Sequence, residues 1–281
     1  MQIKYKNNLE LILGCDRHGR TSSRHQYTTY PLRLSTPFYL EGENSNRAYH
    51  YLINTSPGLL AGDELNLSLQ LGANNNLYFT DQAATKVHQM PEIDAKAVVN
   101  HQIKLEQNSS LEFIPEPVIL YKNAALEQNT VIKLHPTASL FISEIVLPGR
   151  LAKNEYYDFK YYFNRLKITD TSDKPLFIDA TLHKGKNNQF KHNKLFATFP
   201  IIGSAIAILP NTNLSLLITQ INNLDLAPNN LETAITTLPN NQGILIRALS
   251  DKTPRIKQYF TKVLNCIRTI NKQPLLPHIP K

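Results

Sequence analysis

The sequence predicts a mostly β protein built from stacked strands. Residues Glu64–Leu71 alternate apolar and polar side chains without a break, which is the period of a half-buried strand. Similar short runs recur between clusters of Gly, Asn, Pro and Ser, whereas helical periodicity is sparse. A turn pattern flanked by leucines also repeats along the chain. We therefore expect a single β-rich domain over residues 1–281, solenoid-like and with about two α-helices.

The expected strands are short runs rich in β-branched, aromatic or alternating apolar residues. In chain order they are Ala48–Asn54, Glu64–Leu71, Leu77–Thr80, His101–Glu106, Leu111–Ile114, Val118–Tyr121, Val131–His135, Ser139–Val146, Tyr156–Thr169 and Leu176–Leu182. They form a predicted β-stack over about residues 20–220.

The C-terminal part predicts a helix over about residues 254–270. Thr253 is its expected N-cap and Pro254 its first helical residue, because proline is tolerated in the first turn. Apolar residues then recur at helical spacing. A second, weaker helix is expected over Ala227–Thr237, with Asn230 as its cap.

The repeated turn pattern joins a leucine that ends one strand to a leucine that opens the next, through five mostly small or polar residues. Its copies are Leu71–Leu77, Leu105–Leu111 and Leu134–Leu140. A spacing of about 30 residues is typical of stacked coils, each of which buries its face against its neighbours. The alternative is an ordinary meander whose turns happen to be similar.

A carboxylate follows each copy of the turn pattern: Asp81, Glu116 and Glu144. If the coils stack at the strand spacing of about 4.8 Å, these acids form a column. Like charges in a column repel, so a cation, a lysine or water would have to lie among them. The alternative is that the three acids point to solvent on separate turns.

The net charge of +8 would suit nucleic acid, a membrane surface or an acidic partner. The densest basic stretch, His183–Lys194, is either a solvated loop or a docking surface for an acidic protein. The other cations are scattered and no aromatic–basic motif occurs, which argues against nucleic acid. The longest apolar run, Phe199–Leu209, is too short for a bilayer, and the N-terminus lacks a signal-peptide core. We therefore expect a cytoplasmic protein with no membrane partner.

No motif of a common catalytic or nucleotide site is present: P-loop, Rossmann glycine motif, HExxH and G-x-S-x-G are all missing from the sequence. Cys15 and Cys266 are far apart and form no CxxC pair, which indicates a reducing compartment. Weak metal candidates are His18 and His25 near Cys15, and His88. For each, a structural role is the simpler interpretation.

Two segments of the N-terminal half carry an unusual pattern. Ser56–Asp63 is a tight turn containing Gly and Pro, and Thr80–Lys86 is a small, polar segment that ends in a lone lysine. Asp63 is either a turn cap or a functional carboxylate. Lys86 would need a carboxylate partner if it were buried.

These segments resemble signature motifs of the UreD/UreH family of urease accessory proteins. Pro57, Gly58 and Gly62 form the turn of the first motif, and Thr80–Lys86 resembles the family's Thr-x-x-Ala-Ala-Thr-Lys. Further similar blocks are Pro31–Phe38, Leu111–Pro117, Glu144 with Gly149, Arg150 and Glu155, and Pro175–Asp179. The resemblance covers roughly residues 31–182. It departs from the family at Leu59 and Ala61, where glycines are usual, and at Ala180, where arginine is usual.

The resemblance implies a non-enzymatic urease maturation chaperone with a β-rich stack of strands. Such proteins bind urease apoprotein and, with UreF and the GTPase UreG, deliver nickel to the urease active site. The resemblance implies no permanently bound cofactor, only transient nickel in a polar interior, where carboxylate oxygens hold a divalent cation weakly. Candidates for lining this route or docking partners are Asp63, Asp81, Glu116, Glu144 and Asp179. Lys86 and Arg150 are expected to be structural counter-charges.

The alternative function is a β-solenoid hydrolase that uses two carboxylates among Asp81, Glu116 and Glu144. The chain contains no tryptophan, which argues against a sugar-binding platform, although its 13 tyrosines can replace one.

Overall fold

The computed structural model describes residues 6–42, 45–185, 188–225 and 230–280, and within them strands predominate as the sequence predicts. The strands are β1 (Leu9–Cys15), β2 (Thr21–Thr28), β3 (Leu32–Leu34), β4 (Arg47–Asn54), β5 (Glu64–Leu71), β6 (Asn76–Asp81), β7 (Thr85–Val87), β8 (Ala97–Leu105), β9 (Ser110–Phe113), β10 (Val118–Leu120), β11 (Ala125–Leu134), β12 (Ser139–Leu147), β13 (Tyr161–Thr169), β14 (Pro175–Lys184), β15 (Ile201–Ile208), β16 (Leu231–Thr237) and β17 (Gly243–Ser250). The α-helices are α1 (Lys194–Thr198), α2 (Leu214–Asn222) and α3 (Thr253–Ile270).

The strands form two sheets that pack face to face. Sheet A has the order β14-β13-β11-β8-β5-β1-β2, and sheet B has the order β16-β17-β15-β12-β9-β6-β4-β3. The centre of each sheet is parallel: β5, β8, β11 and β13 in sheet A, and β4, β6, β9 and β12 in sheet B. The chain therefore winds alternately through the two sheets, while antiparallel strands such as β14 and β15 flank the parallel stack.

The repeated turns are in register, which confirms the stacked coils. Leu71 pairs with Leu105, and Leu105 pairs with Leu134, in neighbouring strands of sheet A. In sheet B, Leu77 pairs with Leu111 and Leu111 with Leu140. All six leucines are at most 1% exposed, so the repeat forms a leucine column on each side of the core. The meander alternative is wrong.

Packing divides the apolar residues into layers. One cluster lies between the sheets at the leucine columns, and another closes the opposite end of the interior around Val87, Leu120 and Phe159. A third covers the outer face of sheet B, where α2 and α3 pack. Ile256, Phe260 and other apolar residues of α3 face this layer, because they recur at helical spacing on one face.

The C-terminal helices differ in part from the prediction. Helix α3 begins at Thr253, one position earlier than expected, and its N-cap position, Lys252, makes no side-chain capping hydrogen bond. The weaker helix expected over Ala227–Thr237 is wrong where the structure describes it: Leu231–Thr237 is strand β16, and residues 226–229 lie outside the described residues. Its β-branched Thr233, Ile235, Thr236 and Thr237 favour a strand, and pairing with β17 completes it. Helix α2, capped by the Asn213 side chain, was not predicted.

A buried charge network joins α3 to sheet B; we define it as Glu41, Arg47, Glu112 and Arg268. Arg268, which is 0% exposed, donates to both carboxylate oxygens of Glu112 at 2.9 and 2.5 Å and to Glu41 at 2.8 Å. Arg47 lies 3.2 Å from Glu41 and 3.4 Å from Glu112. Each buried carboxylate therefore faces two guanidinium groups, which is the compensation that buried ions require.

Candidate functional site

A cavity of about 140 Å³, lined by both apolar and polar side chains, lies between sheets A and B, and we call it the inter-sheet cavity. It occupies the interior between the leucine columns and the apolar cluster at the opposite end of the stack. Four of the five acids predicted from the sequence line it: Asp81, Glu116, Glu144 and Asp179. An interior with this many ionisable groups contrasts with the apolar layers on either side, because buried polar groups need partners.

The alternation of strand β11 shows how the sequence builds the cavity. Every second residue of this strand points between the sheets: Leu126, Gln128, Thr130, Ile132 and Leu134. Ile132 and Leu134 belong to the leucine-rich core, whereas Gln128 and Thr130 line the cavity. The interior therefore becomes polar where polar residues occupy core-facing positions.

Glu144 is held in the cavity wall by neutral donors. Gln128 Nε2 and Asn164 Nδ2 donate to its carboxylate at 3.0 and 2.9 Å, and the Tyr162 hydroxyl donates to it as well. Burial raises the pKa of Glu144, while these hydrogen bonds and the charge of Arg247 oppose the rise. Burial and the Glu144 carboxylate together raise the pKa of Tyr162 well above its ordinary value. Glu144 is therefore an oriented acid whose charge is not cancelled by a directly bonded cation.

Asp179 faces the cavity from β14 and pairs with an arginine that was not predicted. Arg247 Nη2 lies 2.6 Å from Asp179 Oδ2, and Arg247 Nη1 donates to Ser204 Oγ at 2.7 Å. His183, four residues along β14, also lines the cavity. Burial lowers the pKa of His183, and the charge of Arg247 lowers it further, so this imidazole is biased toward its neutral form.

Asp81 and Glu116 are neighbours in the cavity wall. The backbone N–H of Glu116 donates to Asp81 Oδ2 at 3.1 Å. Lys257 of α3 forms an ion pair with Glu116, whose side chain is 10% exposed, and the lysine side chain is 41% exposed. The Lys257 ammonium therefore balances Glu116 at the border between the cavity and solvent.

The pairing of sheet B sets the spacing between the acids. Phe79 pairs with Phe113, and Phe113 pairs with Ile142. Asp81 and Glu144 each lie two residues beyond these positions, so they are two strands apart, roughly 10 Å at the strand spacing. The acids that follow the repeated turns thus face one cavity rather than separate patches of solvent.

Comparison with known protein families shows which family the chain belongs to. The UreD urease accessory protein family matches residues 7–281. The chain belongs to the UreD family. Among its relatives, the urease accessory protein UreD of Trichodesmium erythraeum is 49% identical over 276 residues, which cover 98% of this chain and 99% of that protein. UreD of Bacillus cereus is 28% identical over 261 residues, or 90% of each chain. UreH of Helicobacter acinonychis is 32% identical over 191 residues, or 68% of this chain and 70% of that protein.

Membership of the UreD family confirms the resemblance predicted from the motifs. It assigns the chain a role in urease maturation, as an accessory protein and not as an enzyme. The alternative of a hydrolase with paired carboxylates is therefore wrong.

The two motif segments of this UreD family member lie against each other. The Leu59 N–H donates to the Lys86 carbonyl at 2.8 Å, and the His88 N–H donates to the Leu59 carbonyl at 2.9 Å. Gly58 has a φ of 147°, and a Cβ at this position would lie 2.5 Å from the Lys86 carbonyl oxygen. Gly62, with a φ of 81°, is the other glycine that the turn requires. The departures at Leu59 and Ala61 are accommodated because the positive φ angles fall on the glycines that remain.

Asp63 and Lys86 lie outside the inter-sheet cavity. Asp63 Oδ2 accepts a hydrogen bond from the Leu60 N–H at 2.7 Å, which caps the turn. The Lys86 side chain is exposed, and among the salt bridges of residues 6–42, 45–185, 188–225 and 230–280 none involves it. Asp63 is thus half-buried at the end of the turn, and Lys86 is exposed on β7.

Arg150 forms an ion pair with Glu155, and its guanidinium lies 4.4 Å from the centre of the Tyr121 ring. The Arg150 N–H groups and charge lower the pKa of Glu155. These contacts fix the chain where it leaves β12, outside the inter-sheet cavity.

The histidines that the sequence offered as weak metal candidates do not converge. His18 accepts from Arg17 at 3.1 Å, His25 contacts Glu10 at 3.3 Å, and His88 contacts the Pro57 carbonyl at 3.2 Å. Cys15 pairs with Thr21 in the β1–β2 hairpin, whereas His25 pairs with Ile12. Across the part of the chain that the structure describes, no group of three His, Cys, Asp or Glu side chains is arranged to hold a metal ion.

The basic stretch His183–Lys194 is divided between two environments. His183 faces the inter-sheet cavity, and Lys191 lies on the surface 3.4 Å from Asp158. Residues 186 and 187 lie outside the described residues. Of the helices within the described ranges, none is both long and apolar enough to cross a lipid bilayer.

Sequence reasoning missed the neutral and cationic half of the site: Gln128, Tyr162, Asn164, Arg247 and Lys257. The signal for Gln128 was present, because it interrupts the apolar series of core-facing positions in β11. Arg247 gave the same signal between Leu245 and Leu249 in β17. Lys257 gave none, since a lysine on an amphipathic helix ordinarily faces solvent.

Proposed function

We propose that this UreD family member binds urease apoprotein and, together with UreF and the GTPase UreG, delivers nickel to the urease active site. In this proposal nickel passes through the inter-sheet cavity as transient cargo. Asp81, Glu116, Glu144 and Asp179 serve as oxygen ligands along the route. The presence of these four acids on the wall of one cavity is the observation that supports it.

The ligand chemistry suits transfer better than storage. Carboxylate oxygens are weaker ligands for a divalent first-row metal than thiolates, and a transferred ion must leave as readily as it enters. The backbone positions of Asp81 and Glu144 are two strands apart, roughly 10 Å, so the acids are spread along the cavity wall. Successive weak sites along a polar path therefore support movement of the ion from one acid to the next.

Glu144 is the best single test, because three neutral side-chain donors hold its carboxylate in the cavity wall. In cells that express urease and its accessory proteins, Glu144→Gln should lower the nickel content per urease several-fold. The substitution keeps the size of the side chain and removes its charge. Nickel per urease is measured by elemental analysis after purification, with capture of UreF by the same variant as the second readout.

Glu127→Gln is the matched control. Glu127 precedes Gln128 on β11 and lies on the opposite face of sheet A, where it pairs with Lys96 at 2.7 Å. Nickel loading should stay at the wild-type level in this variant. Normal loading with Glu144→Gln would refute the cavity route, and loss of UreF capture would make Glu144 a docking or folding residue instead.

A further inference from the structure

Arg247 is a cation that the fold directs toward the inter-sheet cavity. In β17, Ile244, Ile246 and Ala248 are buried against the helical layer, so the alternate residues face the other side of sheet B. Leu245 on that side packs against the core between the sheets. Arg247 follows it by two positions and reaches the cavity wall, where it contacts Asp179 and Ser204.

The Arg247–Asp179 pair is built differently from a fixed structural ion pair. The side chains of Arg247 and Asp179 are 43% and 32% exposed, so solvent screens their attraction. Arg247 makes one contact with a carboxylate oxygen and one with a hydroxyl, at 2.6 and 2.7 Å. A half-exposed pair of this kind separates at little cost, which makes the arginine exchangeable.

The charge of Arg247 acts on more than Asp179. Burial raises the pKa of Glu144, and Arg247 opposes this rise. Burial lowers the pKa of His183, and Arg247 lowers it further. One guanidinium therefore acts electrostatically on two carboxylates and an imidazole that line the same cavity.

We propose that Arg247 is a tethered counter-cation that takes the place of the cargo ion beside Asp179 and Glu144, and that an entering divalent cation displaces it. This inference rests on the proposed function, because it assumes that the cavity carries a metal ion. A divalent ion attracts the two carboxylates more strongly than the single charge of a guanidinium. The exposed part of Arg247 gives the displaced side chain room in solvent, and its return helps to release the ion.

The experiment compares Ni²⁺ binding by the full-length wild-type chain and by Arg247→Gln, using isothermal titration with Ni²⁺ alone. Glutamine keeps a donor for Ser204 and removes the competing charge. We expect the dissociation constant to fall about tenfold, which corresponds to about 1.4 kcal/mol. Arg247→Lys, which keeps the charge, should bind Ni²⁺ as the wild type does.

Arg165→Gln is the control for net charge. Arg165 is exposed on β13, and its substitution removes one positive charge outside the cavity. Its dissociation constant should not change. The tightening should also disappear when Arg247→Gln is combined with Asp179→Asn and Glu144→Gln, which localises the binding to the cavity. Thermal unfolding without metal verifies that each variant is folded.

Two results would overturn the inference: no tighter binding in Arg247→Gln, or the same tightening in Arg165→Gln. These outcomes are distinguishable from failure of the proposed function. If Asp179→Asn and Glu144→Gln weaken Ni²⁺ binding while Arg247→Gln leaves it unchanged, only the counter-cation is refuted. If neither acid variant changes Ni²⁺ binding or the nickel content of urease, the cavity route itself is refuted.

Discussion

The buried charge network and the inter-sheet cavity lie on opposite faces of sheet B. Their carboxylates differ in the charge of the groups that donate hydrogen bonds to them. In the network, Glu112 accepts two hydrogen bonds from Arg268, and both groups are at most 3% exposed. In the cavity, Glu144 accepts from a phenol and two amides. The first arrangement pairs the carboxylate with a full positive charge, whereas the second surrounds it with neutral hydrogen-bond donors.

The comparison shows how the two kinds of acid differ in protonation. Burial alone would raise the pKa of Glu41, but the Tyr49 hydrogen bond and the charges of Arg47 and Arg268 lower it below its usual value. For Glu144 burial prevails and the pKa is raised. The two acids thus have opposite shifts: cationic partners outweigh burial at Glu41, whereas burial outweighs the neutral donors at Glu144.

The largest expected effect comes from breaking the network. Arg268→Ala leaves Glu112 and Glu41 buried without their main partner, so we expect a loss of about 3–5 kcal/mol in the free energy of unfolding. Urea unfolding followed by circular dichroism measures this loss. Arg165→Ala, at an exposed site, should change stability by less than about 0.5 kcal/mol. A loss below about 1 kcal/mol for Arg268→Ala would show that the network does not hold α3 in place.

A second prediction uses the opposite pKa shifts of Glu41 and Glu144. The lowered pKa of Glu41 contributes stability that is present above its ordinary value of 4.5 and is lost as pH falls through the folded value. The raised pKa of Glu144 contributes stability that is present below 4.5 and is lost as pH rises through the folded value. The Tyr162 phenol, whose pKa is raised well above its ordinary value, stays protonated over this range and is a constant partner of Glu144.

Urea unfolding of the wild type, Glu41→Gln and Glu144→Gln over a pH series measures this difference. Relative to the wild type, Glu144→Gln should gain stability as pH rises above 4.5, and the deficit of Glu41→Gln should shrink as pH falls below 4.5. The same pH dependence in all three proteins would remove the distinction between the two regions.

The smallest expected effect is at the border of the cavity. Lys257→Gln removes the ammonium that pairs with Glu116, but the lysine side chain is 41% exposed, so solvent weakens the pair. We expect a loss of about 0–1 kcal/mol in the free energy of unfolding. A loss as large as that of Arg268→Ala would mean that the cavity ion pairs are structural, and the comparison between the regions would fail.

Much of the fold could be predicted because its signals are local and periodic. Glu64–Leu71 is a strand in the prediction and in the structure, since strict alternation has no competing interpretation. The repeated leucines predicted the stack, and their pairing confirms it. The region after Phe199 was harder: Leu231–Thr237 became a strand because β17 offers an edge, and short segments take the structure that their neighbours stabilise.

The candidate site was predicted less completely, and the reason lies in distance along the chain. The sequence analysis named Asp81, Glu116, Glu144 and Asp179, which share one cavity, but also Asp63, which caps a turn outside it. An acid near a glycine turn looks the same in both roles until its neighbours are known. Arg247 is 68 positions from Asp179 along the chain, so no local pattern connects them.

The sequence by itself determined many of the strands, the stacking repeat, the family and the acids that follow the repeated turns, because periodicity and motifs are written in neighbouring residues. Only the tertiary structure decided which charges cancel. Glu112 is neutralised because α3 brings Arg268 to it across 156 positions, and Glu144 has no directly bonded cation because β11 and β13 bring amides and a phenol instead. Electrostatic compensation depends on distance in space and on burial, and the linear order of residues specifies neither.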